Sequence, residues 1–87
     1  MIKTRYELSE EDEGRIENNF TYHSPFGDQP ERYEDMRSEF RNLAKLICRY
    51  CPVSRERSLA LTNLEQAAFC ANAAIARNEK EDKEDGN

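Results

Sequence analysis

With 87 residues the chain has room for one domain, and its three cysteines cannot all pair within it. A net charge of −5 excludes a protein that holds long nucleic-acid duplexes by neutralising phosphates along them. There is no signal-peptide pattern and no apolar run long enough to span a bilayer, so the expectation is a soluble, reduced, cytoplasmic protein.

Residues 1–19 form an acidic N-terminal segment, in which Glu7, Glu10, Glu11, Asp12, Glu13 and Glu17 outweigh Arg15. Ser9 suits the N-cap of a short helix there, against the helix-weakening Gly14. Phe20 to Gly27 (FTYHSPFG) carries aromatic residues, a proline and a glycine at turn spacing, which predicts an ordered loop or extended segment. Asp28 and Glu31 make a D-x-x-E capping signature, with Pro30 in the first helical turn. The helix that follows sets Tyr33, Met36, Phe40, Leu43, Ala44, Ile47 and Cys51 on one stripe at alternating three- and four-residue steps. Cys51, Pro52 and Val53 supply a stop and a tight connection. Ser54 then caps a second helix that runs to Asn78, with a stripe of Leu61, Leu64, Ala68, Ala71 and Ile75.

Two long helices on so short a turn must lie antiparallel. The predicted architecture is therefore all-α: a helical hairpin over 20–78, preceded by the acidic segment and followed by a disordered charged tail over 79–87. The alanine-rich half of the second helix is small and apolar on several sides, from Ala67 to Ala76. A helix apolar on more than one face needs cover on more than one face. Without its tail the chain is near the ~70–80 residues below which a core needs outside help. A homo-oligomer is the expected source of that cover.

Chemistry is sparse. His23 is the single histidine, the carboxylates fall in exposed acidic runs, and no phosphate-binding glycine loop is present, so no enzyme is expected. Cys48 and Cys51 match C-x-x-C, and with Cys70 and His23 nominally complete a zinc set; all three cysteines equally suit apolar packing, and buried, reduced, structural thiols are the preferred reading. From residue 37 to 57 the charge turns positive through Arg37, Arg41, Lys45, Arg49, Arg55 and Arg57. These cations either solvate a helix face or hold a small anion with two or three phosphates. Tyr22, beside His23, Ser24 and Pro25, is either a base-stacking platform or part of a hydrophobic strap; Phe20 is expected in the strap.

The pairing of FTYHSPFGDQPERY with SRERSLALTNLEQAAFCANAAIARN resembles the small phage proteins that carry the anti-CBASS and anti-Thoeris sponge hairpin domain, on the anti-CBASS side, over roughly Glu17 to Asn78. The resemblance implies an all-helical hexamer in the cytoplasm of an infected bacterium. It implies binding of cyclic dinucleotides, and in some members cyclic trinucleotides at separate sites, without cleavage and without a cofactor or metal, so that a defence effector is not activated. On this basis Tyr22 is assigned base stacking and Arg37 phosphate contact, with His23 their neighbour. Arg55, Ser58 and Thr62, spaced to share a face at the start of the second helix, are nominated for a trinucleotide. The rival reading is a non-catalytic helical oligomer that binds a host protein through its acidic N-terminus.

Overall fold

The computed structural model describes residues 5–81. It consists of α1 (Glu10–Phe20), α2 (Gln29–Tyr50) and α3 (Arg55–Asn78), with no strand among the described residues. The all-α hairpin expectation is correct. Residues 1–4 of the acidic segment and 82–87 of the charged tail lie outside the described residues.

Local chemistry accounts for the boundaries. The Ser9 hydroxyl accepts the Asp12 amide at 3.0 Å, and Glu10, Glu11, Asp12 and Glu13 crowd the positive end of α1. Before α2 the Asp28 side chain makes no capping bond, contrary to the D-x-x-E expectation; it takes the Arg32 Nε at 3.1 Å instead. The cause is the preceding turn. Gly27, at φ +59°, and Asp28, at φ −90° and ψ 10°, form a tight turn closed by Gln29 N–H donating to Phe26 O at 3.0 Å. The Gln29 side chain turns back to brace that turn, its Oε1 accepting the Phe26 amide at 3.1 Å, and α2 starts with no side-chain cap. At the hairpin end, the Ser54 hydroxyl accepts the Arg57 amide at 3.1 Å and donates to Pro52 O at 3.0 Å.

Helices α2 and α3 pack on each other along their length, and the start of α2 meets the end of α3 through Arg32 and Glu79. The predicted stripes face this seam: Tyr33, Met36, Phe40, Ala44 and Ile47 on α2, and Leu61, Leu64, Ala68, Ala71 and Ile75 on α3, are half-buried. Yet no apolar residue among those described is buried. The chain spans 48 × 47 × 17 Å with a radius of gyration of 18.6 Å. A compact domain of this length would have about 12 Å. This is a slab two helices wide.

Three packing expectations fail for that reason. Cys48, Cys51 and Cys70 are exposed, because they lie on hairpin faces that no third layer of the chain covers. Phe20 is 84% exposed, since α1 reaches the hairpin through polar side chains at its end and offers that ring no apolar surface. In the aromatic loop it is Phe26 that is half-buried. Leu43, expected on the α2 stripe, is 44% exposed at its edge, and Phe69 (70% exposed) on the alanine-rich half of α3 is likewise uncovered.

Candidate functional site

The loop between α1 and α2 is tied down at both ends. His23 Nε2 donates to the Asn18 carbonyl at 2.7 Å, which fixes the proton on that nitrogen and leaves Nδ1 unengaged by this bond. Asn18 Nδ2 donates to Arg77 O at 3.0 Å, and an Arg77 guanidinium nitrogen reaches Asn19 O at 3.5 Å. The last carbonyls of α1, which have no partner within the helix, are thus taken up by the loop and by α3.

This closure opens a cleft of about 410 Å³ against the hairpin, lined by Tyr22, His23, Tyr33, Arg37, Asn72 and Arg77 among others. Tyr22 is 81% exposed and presents a free ring face. Tyr22, His23 and Arg77 also border a second hollow of about 600 Å³ on the Glu79 side of the loop. The cleft combines aromatic faces, two guanidinium groups and an amide in a volume within the ~300–1,000 Å³ range of small-molecule sites. That set suits a ligand with stacking bases and anionic oxygens, and Arg37 and Arg77 can each grip phosphate oxygens in a fork. In the free chain Arg37 is paired with Glu34 one turn before it.

Of the residues nominated from sequence, Tyr22, His23 and Arg37 line one cleft. Arg55, Ser58 and Thr62 do not join them. They are exposed on the opening turns of α3, and Thr62 precedes Asn72 by ten residues, about 15 Å of helix. Tyr33, Asn72 and Arg77 were missed. The signal for them was present: an antiparallel hairpin returns the last turns of α3 to the start of α2, so residues 72–77 had to face the aromatic loop. No cysteine lines the cleft; Cys48 borders a separate depression with Lys45 and Arg49. Among the described residues no three His, Cys, Asp or Glu side chains are grouped to hold a metal ion, and no helix is long and apolar enough to cross a membrane.

The family described as Acb2/Tad1, hairpin domain, matches residues 12–76. The match starts earlier than the Glu17 expected from the motifs and takes in most of α1. It contains the cleft residues through Ala76 and stops before Arg77 and Glu79. Comparison with curated proteins and with solved structures finds no match.

Proposed function

The chain belongs to the Acb2/Tad1 hairpin family, the anti-CBASS and anti-Thoeris sponges, and on that premise we propose that it is a phage immune-evasion protein that sequesters cyclic dinucleotides in the cleft of Tyr22 and Arg37. The observation that carries this reading is the convergence on one open cleft of a free tyrosine face and two arginines. Tyr22 stacks on a base, Arg37 and Arg77 hold phosphates, and His23, fixed through Nε2, turns its other nitrogen toward the ligand's polar edge. Binding is reversible and the ligand leaves intact. A dissociation constant near nanomolar, about −12 kcal/mol, leaves almost none of a micromolar signal free for its receptor.

The functional unit in this reading is a homo-oligomer, a hexamer. Its support is the complete lack of buried apolar residues among those described, together with the exposed Phe69 and the alanines around it. A two-fold ligand then meets two symmetry-related sets of the same residues. Cyclic trinucleotides are assigned to a second site at Arg55, Ser58 and Thr62, near the positive N-terminus of α3. Among the described residues Arg55 is in no ion pair, unlike Arg37.

Calorimetry with a panel of cyclic di- and trinucleotides tests the proposal, followed by heat release and chromatography of the ligand. Recovery of linearised nucleotide would make the protein an enzyme. Absence of binding to the whole panel would return the question to a host-protein partner, for which α1, acidic and with Ile16 and Phe20 exposed, is the candidate surface.

A further inference from the structure

The single buried residue among those described is polar, and it sits where three segments of the chain meet. Gln29 is 2% exposed. Its Oε1 accepts the Phe26 amide at 3.1 Å while its own amide donates to Phe26 O at 3.0 Å. Its Nε2 donates to Glu79 Oε1 at 3.0 Å. Glu79 lies just past α3 and is gripped from the other side by Arg32, with Nη1 to Oε2 at 2.9 Å and Nη2 to Oε1 at 2.6 Å. Arg32 Nε in turn reaches Asp28 Oδ1 at 3.1 Å, which closes the circuit on the turn before α2.

With no apolar residue buried among those described, this junction is held by hydrogen-bond geometry. Both ends of the Gln29 amide are occupied, so removing either partner strands a desolvated group. The loop is pinned at His23 by Asn18 and at Phe26 by Gln29, with only Ser24 and Pro25 between. Tyr22 and His23, which form one wall of the cleft, therefore take their position from these anchors. We propose that Gln29, Glu79 and Arg32 are positioning residues: the clasp they form sets the pose of the aromatic loop, and through it the shape of the ligand cleft. Glu79 does not line the cleft of Arg37, and it falls outside the span matched by the family. The effect on the cleft rests on the ligand reading; the effect on the loop does not.

Amide hydrogen exchange on the full chain separates the two. Glu79→Ala is expected to speed exchange over residues 21–28 about tenfold, the scale of one lost buried hydrogen bond, and to leave the middle of α2 and α3 protected. Gln29→Glu loosens the loop by placing a second carboxylate against Glu79. Adding Glu79→Gln to it removes that repulsion and restores an acceptor–donor pair in reverse, at the cost of the acceptor that Arg32 Nη2 had on Glu79 Oε1, so loop protection recovers in part. Dissociation of cyclic diadenylate or cyclic diguanylate is expected to be about tenfold faster from Glu79→Ala and Gln29→Glu, and slower from the double variant than from Gln29→Glu, since the loop pose follows that bond. Unchanged exchange over 21–28 in Glu79→Ala overturns the clasp, as does failure of the double variant to rescue. Loosened loops with unchanged ligand dissociation overturn its role in the cleft. If wild-type protein binds neither probe, the ligand reading falls, and the exchange result still decides the clasp.

Discussion

Arg37, the proposed phosphate contact, is already engaged in the free chain. Its guanidinium is paired with Glu34 one helical turn away, at 55% and 64% side-chain exposure, so a phosphate must displace a carboxylate to reach it. Pairs this exposed contribute about 0–1 kcal/mol. Glu34→Gln should therefore tighten cyclic dinucleotide binding by up to about 1 kcal/mol, while Arg37→Ala weakens it by about 1.5–3 kcal/mol through a lost charge-assisted contact. Isothermal titration of both variants checks the pair, and equal behaviour of the two would remove Arg37 from the site. Tyr22→Ala should cost about 1–3 kcal/mol of stacking, and Tyr22→Phe should recover most of it. Tyr22 and Arg37 were legible in the sequence because a loop aromatic and a helix arginine each carry an obvious chemistry. The sequence offered no equivalent hint for Gln29, since a glutamine between Asp28 and Pro30 reads as an ordinary first-turn residue until its partners across the fold are in place.

At the level of the elements, the proposal gives the two ends of α3 different work. Arg55→Ala or Thr62→Ala should impair cyclic trinucleotide binding and leave the dinucleotide untouched, because about 15 Å of helix separates Thr62 from Asn72 and about 25 Å separates Arg55 from it. Competition titrations with both ligands check this, and loss of both together would mean a single site. At the other end, Arg32 and Gln29 hold the Glu79 carboxyl down to about 2, well below the ordinary carboxylate range. The depressed value sets the sign. The clasp contributes stability above about pH 4.5, and that contribution is lost as pH falls toward about 2, where the carboxyl takes a proton in the folded chain too. The melting-temperature gap between wild type and Glu79→Gln should accordingly be constant near neutrality and shrink below about pH 4.5. A gap that persists to pH 2 would show that the lost charge is not its source. Helix type, order and the Ser9 and Ser54 caps were readable, since Ser9, Ser54 and Pro30 carry local rules; the Asp28 cap was misread because the Gly27 turn leaves its carboxylate to Arg32.

For the molecule as a whole, the sequence disclosed the hairpin but misjudged its cover. Periodicity identifies which face of a helix is apolar, and it placed Leu64, Ala68 and Phe40 correctly on the seam. It cannot say whether the surface opposite belongs to the same chain, so Cys48, Cys51, Cys70 and Phe20 were assigned to an interior that one chain does not have. If copies supply that interior, Ala71→Leu or Ala74→Leu should dissociate or destabilise the assembly, at a scale of about 1–3 kcal/mol of overpacking for each such site. Light scattering checks it, and a wild type that stays monomeric at micromolar concentration would refute the assembly. A slab only 17 Å thick, with every apolar side chain among the described residues in some contact with water, has a thermodynamic consequence. If other copies complete it, its folding and its association become one equilibrium, governed by mass action as well as by temperature. Its unfolding temperature should then climb with protein concentration, and the sponge would come into being only where enough chains have been made to complete one another.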